Sequence, residues 1–142
     1  MLKLIESLKT DKAQHIAMTM TFNDHDRRHF IDFYIKMDAI WAEEFDEEEY
    51  TNIHYATLFF QLWNKNKPVS KTDAYRFMHN ISSQTAQKYL NKAIKRGSII
   101  EIDNPEDKRS KLVTLSKHTK NSLIRCIDAT LLESQGFFNK QK

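Results

Sequence analysis

Apolar side chains recur every three or four residues over most of the chain, which is the spacing of amphipathic helices. The first long stripe lies between residues 24 and 45 and is rich in aromatic rings. Its members are Phe30, Phe33, Tyr34, Met37, Ile40, Trp41 and Phe45. Asn23 or Asp24 is placed to cap the start of this helix. Because the stripe is wide, we expect it to pack against a second subunit as well as its own core, although a core helix of a monomer would give the same pattern.

The same spacing predicts three further helices, over residues 51 to 64, 70 to 78 and 83 to 96. Asn80 is expected to break the chain between the second and the third, because asparagine tolerates a left-handed conformation. Ser82 is a natural N-cap for the third helix, and Gly97 is typical of the position that follows a helix end. The last two of these helices, separated by a few residues, form a helix-turn-helix.

After Gly97 the apolar period changes from 3.6 residues to two, which predicts β-strands. These strands cover residues 98 to 102 and 112 to 115, and the polar segment from 103 to 111 is the long tip of a hairpin between them. A helix-turn-helix followed directly by a β-hairpin is a winged helix. The predicted fold class is therefore mainly α with a small β-hairpin wing.

The two ends of the chain give signals of different strength. A final helix is predicted from Lys117 to about Gln135, ending at Gly136. Residues 1 to 22 contain two apolar clusters without a single period, and helix is favoured for the first. No glycine-rich linker divides the chain, so we expect one domain with helical extensions.

The composition narrows the classes of protein further. The 142 residues have a net charge of +3 and a mean hydropathy of −0.65, values typical of a folded soluble domain rather than a disordered tail. Only two glycines and two prolines leave little material for the turns of a β-sandwich or barrel. The single cysteine cannot form an internal disulfide, and neither a signal peptide nor a membrane span is visible. We therefore expect a cytoplasmic protein with no membrane role.

Charge is divided unevenly along the chain. Residues 61 to 120 carry 13 Lys and Arg against five acids, a surplus of eight positive charges. The other 82 residues carry nine Lys and Arg against 14 acids. This asymmetry is typical of a nucleic-acid-binding lobe joined to a segment that stays clear of nucleic acid, although solvated helix faces would give the same tally.

The helix after Ser82 has one apolar and one polar face. Ala86, Tyr89, Leu90 and Ala93 form its inward stripe. The outward side chains are Ser83, Gln84, Gln87, Lys88 and Asn91, with Thr85 at the boundary. Glutamine can pair with adenine, lysine reaches guanine or phosphate, and the major groove of DNA is wide enough for a helix. We predict that this face binds DNA, with a merely soluble helix face as the alternative.

Two stretches of the sequence resemble the MarR family of winged-helix transcription regulators. The stretch ISSQTAQKYLNKAIKRGSIIEI is similar to the family's recognition helix leading into a strand, and DNPEDKRSKLVTLS is similar to its wing and the strand after it. Within the second stretch, Asp107 and Arg109 followed by Leu115 and Ser116 come close to the family's D-x-R and L-T pattern. The resemblance extends from about residue 53 to residue 127.

The resemblance implies an obligate homodimer that binds double-stranded DNA through two winged helices. It implies a single domain over residues 1 to 142, with a DNA-binding lobe at about 51 to 116 and dimerisation helices at about 24 to 45 and 117 to 138. The expected function is that of a sequence-specific DNA-binding transcriptional regulator. The alternative is a winged-helix module for protein interaction, replication or partition.

The wing carries further candidate DNA-binding residues. The resemblance implies that Arg109 enters the minor groove and that Asp107, placed on the same strand face, holds it in position. Lys108 and Lys111 are expected to contact phosphate without reading sequence. At the start of the helix predicted over residues 70 to 78, Lys71 and Thr72 could also reach phosphate.

The sequence gives only weak signals for metal binding, for a redox-active cysteine and for catalysis. His25 and His29 are four residues apart, a spacing that can bind a divalent metal but is more common on solvated helices, and no metal is predicted. Cys126 is expected to be a buried small residue rather than a redox switch. Neither a Ser/His/Asp set nor a P-loop nor a GxGxxG motif is present, so we predict neither catalysis nor a cofactor.

A small-molecule effector is a further candidate partner. The resemblance implies that phenolic or lipophilic effectors bind between the dimerisation helices and the DNA-binding lobe. Phe30, Tyr34, Trp41 and Trp63 could line such a space, and packing in the core is the competing expectation for each of them.

Overall fold

The computed structural model of the protein describes residues 11 to 12, 21 to 46 and 48 to 140. Its elements, in chain order, are helix α1 (Asp24–Glu44), a 3₁₀ turn (Glu48–Thr51), α2 (Ile53–Lys65), β1 (Val69–Ser70), α3 (Lys71–Arg76), α4 (Ser83–Lys95), β2 (Ile99–Asp103), β3 (Lys111–Leu115) and α5 (Lys117–Lys140). The fold is mainly helical with a small antiparallel sheet, which confirms the predicted class. The helix favoured for the first apolar cluster lies outside the described residues.

Capping side chains account for the starts of α1 and α4. The Asn23 side chain accepts a hydrogen bond of 2.9 Å from the Asp26 amide, and the Asp26 carboxylate accepts one of 3.2 Å from the Asn23 amide. This reciprocal pair is a capping box, which satisfies amides that the first turn of α1 leaves without partners. The Ser82 hydroxyl caps α4 by accepting a hydrogen bond of 3.1 Å from the Thr85 amide.

The two positions where the sequence predicted the chain to leave a helix, Asn80 and Gly97, both have a left-handed backbone conformation. Asn80 has φ of 64° and separates α3 from α4, while Gly97 has φ of +80° and follows the end of α4. Asparagine and glycine are the residues that adopt this conformation at least cost. The helix-turn-helix and its exit into β2 are therefore set by local backbone chemistry.

The predicted end of the last helix at Gly136 is wrong. The helix α5 continues through Gly136 to Lys140. The reason is packing beyond the glycine, where the Phe137 ring lies 5.6 Å from the Phe33 ring and 5.0 Å from the His29 ring, centroid to centroid. Packing of these half-buried rings between α5 and α1 offsets the roughly 1 kcal/mol that a glycine costs inside a helix.

The sheet has a strand that the sequence did not reveal. Its order is β1-β3-β2, and both pairings are antiparallel. Strand β1 is only two residues long, with Val69 opposite Val113, so it is too short to show a period of two. The hairpin of β2 and β3 runs from the pair Ile99 and Leu115 to the pair Asp103 and Lys111.

The core lies where α2, α4, α5 and the sheet meet. Its largest fully buried side chains are Tyr55, Phe59, Leu58, Leu90, Ile99, Leu123 and Val113. The C-terminal part of α1 joins this core through Trp41 and Phe45, whose rings stack with their centroids 4.2 Å apart. The aromatic stripe of α1 is therefore divided, because only its last turns belong to the core of this lobe.

The remaining part of α1 packs along α5 and presents apolar side chains to solvent. Large side chains on the two helices are half-exposed or more in the single chain. They are Phe30, Ile31, Tyr34, Ile35, Leu131, Leu132 and Phe138. Within the described part of the chain, no helix combines the length and the apolar character that a membrane crossing requires.

Candidate nucleic-acid interface

Helix α4 presents a polar face and buries the opposite one. Ala86, Leu90 and Ala93 are buried, and Tyr89 is half-buried at the edge. The exposed side chains are Ser83, Gln84, Gln87, Lys88 and Asn91, and Thr85 is half-buried. The structure thus places every predicted side chain of this helix where the 3.6-residue period expects it.

The exposed face of α4 extends further than the sequence analysis proposed. An open groove of about 430 Å³ runs along it and is lined by Gln84, Gln87, Lys88, Asn91, Lys92 and Lys95. Lys92 and Lys95 were not among the predicted DNA-binding residues. The signal was present, because Lys88, Lys92 and Lys95 have the spacing that aligns side chains on one side of a helix.

The start of α4 adds a positive electrostatic field to this face. Ser83, Gln84 and Thr85 form its first turn, and none of the three is acidic. Free amides and the helix dipole give such a terminus partial positive charge, which attracts anions. The lysines of the groove carry the same sign along the rest of the helix.

Arg109 is at the tip of the wing, and its side chain is 93% exposed. One carboxylate oxygen of Asp107 accepts a hydrogen bond of 3.0 Å from the Arg109 amide and a longer one of 3.4 Å from Arg109 Nε. Asp107 therefore orders the tip mainly through the backbone. It lies in the turn between β2 and β3, so its predicted place on a strand face is wrong, because the ladder already ends at Asp103 and Lys111.

Lys111, two residues after Arg109, forms an ion pair within the hairpin. Lys111 Nζ contacts the carboxylate of Asp103 directly across the ladder. The hydrogen bond and, after it, the charge of Lys111 lower the pKa of Asp103, and the same pair raises the pKa of Lys111. Lys108, one residue before Arg109, is exposed.

Lys71 and Thr72, the two candidate phosphate contacts at the start of α3, have different surroundings. Ser70 caps this helix by accepting from the Asp73 amide at 3.1 Å. Lys71 Nζ contacts the carboxylate of Glu101 on β2, so this lysine links the helix-turn-helix to the wing. Thr72 is exposed at the first turn.

Cys126 has the environment that the sequence analysis favoured. Cys126 is 3% exposed, and burial, followed by the charge of Glu44, raises the pKa of its thiol. This confirms a buried small residue. His25 and His29 lie side by side with ring centroids 6.3 Å apart. Among residues 11 to 12, 21 to 46 and 48 to 140, no three His, Cys, Asp or Glu side chains are grouped so that they could hold a metal ion.

The aromatic residues proposed to line an effector site are distributed over separate surfaces. Tyr34 and Trp41 line an apolar groove of about 460 Å³ between α1, α2 and α5. Phe30 lines another cavity, of about 580 Å³, together with Phe137 and Phe138. Trp63 lies on the exposed side of α2.

Several solved structures share this arrangement. RV1404 from Mycobacterium tuberculosis is similar with a TM-score of 0.66 and 14% identity, over 92% of this chain and 80% of that one. A variant of S. aureus MepR, bound to an oligodeoxyribonucleotide, is similar with a TM-score of 0.61 and 15% identity, over 80% and 78%. The heme sensor PefR from Streptococcus agalactiae, in complex with heme, gives 0.51 and 21%, over 80% and 76%.

MepR and PefR are MarR-family transcriptional regulators. The chain has the winged-helix fold of these regulators, which confirms at the level of the fold the resemblance found in the sequence. No protein-family model matches the sequence, and neither does the sequence of any curated protein. The likeness is thus one of backbone arrangement, at identities of 14 to 21%.

Proposed function

We propose that this chain is a non-catalytic, sequence-specific regulator of transcription that binds double-stranded DNA as a homodimer. In this proposal α4 enters the major groove and Arg109 enters the minor groove. The observation that carries it is the pairing of a fully polar, lysine-lined face on α4 with a wing whose tip arginine is 93% exposed. A similar fold bound to an oligodeoxyribonucleotide, that of the MepR variant, supports the same reading.

Most of the proposed DNA contacts fall into two chemical groups. Ser83, Gln84, Gln87 and Asn91, with Thr85 at the edge, are short polar side chains suited to base edges. Lys88, Lys92, Lys95 and Lys108 are flexible cations suited to phosphates. Lys111 and Lys71 reach phosphate in this proposal by exchanging their carboxylate partners, Asp103 and Glu101, and Thr72 donates its hydroxyl beside Lys71.

The decisive experiment is selection of bound sequences from random duplexes by the whole protein. Because a two-fold dimer presents two copies of α4, the enriched sequence should be a pseudo-palindrome with half-sites about one helical turn apart. Enrichment of a sequence without dyad symmetry would contradict the dimeric mode of binding. Absence of enrichment would contradict sequence-specific recognition and favour a protein-interaction module, although such a module is expected to expose apolar side chains on α4.

We further propose that the apolar groove between α1, α2 and α5 receives a small apolar or aromatic effector. Its walls include Tyr34, Met37, Trp41, Phe60 and Leu131, which match such a molecule in character. Trp41 is a built-in reporter, because the chain has only one other tryptophan, Trp63. With Trp63→Phe, phenol should change the remaining fluorescence saturably, and an unchanged signal in Trp41→Phe, which keeps Trp63, is the matched control.

A further inference from the structure

We infer that Asn52, Tyr55 and Tyr89 form a clamp that sets the orientation of α4 for base readout without touching DNA. This inference rests on the proposed function and names the residues that position its reading helix. In the single chain, Tyr89 lies midway along α4 at the edge of its buried face, directly after the exposed residues Gln87 and Lys88. Any rotation of α4 about its axis would move Tyr89 and these two residues together.

The clamp grips Tyr89 at both ends. The Tyr55 hydroxyl donates a hydrogen bond of 3.0 Å to the Tyr89 backbone carbonyl. The Asn52 side-chain amide donates a hydrogen bond of 3.2 Å to the Tyr89 hydroxyl. One bond holds the helix backbone and the other holds the far end of the side chain, so rotation of α4 in either direction strains at least one of them.

The residues that grip Tyr89 are themselves fixed. Asn52 uses its side-chain oxygen to cap α2, accepting from the His54 amide at 2.9 Å, while its amide nitrogen reaches Tyr89. Tyr55 is only 2% exposed, and its ring lies 5.3 Å from the Tyr89 ring. The His54 ring stacks on the Tyr89 ring at 6.1 Å with an angle of 24° between the planes. The start of α2 is therefore the rigid support of the clamp.

Base readout and phosphate contact respond differently to a small rotation of a helix. Hydrogen bonds to base edges need distances of about 2.7 to 3.2 Å and near-linear geometry, and the short side chains of Ser83, Gln84 and Asn91 have little freedom to compensate. Lysines have long flexible stems and bind phosphate as point charges, so they tolerate the same rotation. Loss of the clamp should thus reduce discrimination between sequences and leave non-specific binding in place.

Tyr55→Phe and Tyr89→Phe test this inference, because each removes one hydroxyl and keeps its ring. Tyr75→Phe on α3 is the matched control, since Tyr75, like Tyr89, is a partly buried tyrosine packed against the core. For each full-length variant, Kd is measured on the selected duplex and on a scrambled duplex over a range of salt concentrations, and thermal unfolding is followed by circular dichroism.

We expect each clamp variant to lower the ratio of scrambled to selected Kd by roughly five- to tenfold, the effect of losing about one hydrogen bond. The Kd for scrambled DNA and its salt dependence should stay within about twofold of wild type, as should every value for Tyr75→Phe. A parallel loss on both duplexes, or an unchanged ratio in both clamp variants, overturns the inference.

If Tyr55→Phe is unstable, Tyr89→Phe decides alone, because its hydroxyl lies at the part-exposed edge. Failure of wild type to prefer any duplex would instead overturn the proposed function.

Discussion

Gln84 and Arg109 of the candidate interface are held in place differently. This difference predicts how substitution of each residue will change DNA binding. Gln84 projects from a rigid helix whose buried face is close-packed, whereas Arg109 projects from a turn ordered by Asp107. A rigid support favours a base contact with fixed geometry. An exposed arginine on a turn can follow the width of a minor groove and respond to its potential.

Substitution of these two residues should therefore give different patterns of loss. Gln84→Ala is expected to cost roughly 1 to 3 kcal/mol at one base position and to relax preference there. Arg109→Ala is expected to weaken binding at A·T-rich flanks and to lower the salt slope by about one unit. Lys108→Ala should weaken binding similarly on all sequences. Salt titrations on selected and scrambled duplexes measure this, and an Arg109→Ala variant that binds both like wild type would show that the wing does not touch DNA.

The Asp103 and Lys111 pair gives a prediction about charge on the wing. Asp103→Asn removes a negative charge and releases Lys111, so DNA should bind more tightly at low salt and the salt slope should steepen by up to about one unit. Asp128→Asn on α5, remote from the candidate interface in sequence, is the control. Weaker binding by Asp103→Asn would mean that the pair is needed for the shape of the wing.

The pH dependence of the same pair follows from the direction of its shifts. The pKa of Asp103 is lowered in the folded state, so its contribution to stability is present above its ordinary value of 3.8 and is lost as pH falls through the lowered pKa. The pKa of Lys111 is raised, so its contribution is present below 10.5 and is lost as pH rises through the raised pKa. The pair is thus intact around neutral pH, where the salt titrations should be carried out.

At the scale of helices and strands, substitution of the two glycines by alanine should have opposite effects on stability. Gly136 lies inside α5, and a Cβ built on it meets no atom within 4 Å. Gly136→Ala should therefore stabilise the protein by about 0.5 to 1 kcal/mol, through the better helix propensity of alanine and a less flexible unfolded chain. Gly97 also has room for a Cβ, but its φ of +80° strains any other residue, so Gly97→Ala should destabilise. Urea unfolding measures both, and a loss of stability in Gly136→Ala would show that the space around it is filled in the assembled protein.

Two hydrogen bonds through Tyr50 connect α1 with the winged-helix lobe. Trp41 Nε1 donates a hydrogen bond of 2.7 Å to the Tyr50 carbonyl, and the Tyr50 hydroxyl donates one of 2.7 Å to Ser98, the residue just before β2. Trp41 also lines the apolar groove. An effector that displaces Trp41 would thus act on the segment that leads directly into the Asn52 and Tyr55 clamp.

For the molecule as a whole, we predict a homodimer formed by the exposed faces of α1 and α5. Ile35, Leu132 and Phe138 are 59%, 68% and 61% exposed in the single chain, and they are joined by several other large apolar side chains on the same two helices. A soluble monomer rarely leaves so large an apolar area in water. Sedimentation should show a dimer at micromolar concentration, and Leu132→Glu should shift it towards monomer. Ile100→Glu on β2, a comparably apolar exposed site, is the control, and a monomeric wild-type protein would contradict the prediction.

The properties that could be predicted from the sequence are those that depend on near neighbours in the chain. The cap at Asn23, one of two residues predicted for it, the cap at Ser82, the left-handed Asn80 and the two faces of α4 were expected and are observed, as is the helix end before Gly97. Each arises from backbone geometry and helical period within a few residues. The end of α5 was missed because a local rule about glycine was overruled by rings packed on another helix.

Contacts between residues far apart in the chain could not be predicted, because no local pattern encodes them. Pairing of β1 with β3, the contact of Lys71 with Glu101 and the hydrogen bond of Tyr55 to Tyr89 join residues that are 30 or more positions apart. These contacts arise only when the elements pack, since burial brings polar groups together and they must then find partners. Local sequence therefore accounts for the surface that α4 presents, and tertiary packing accounts for which cations are engaged and for the direction in which α4 is held.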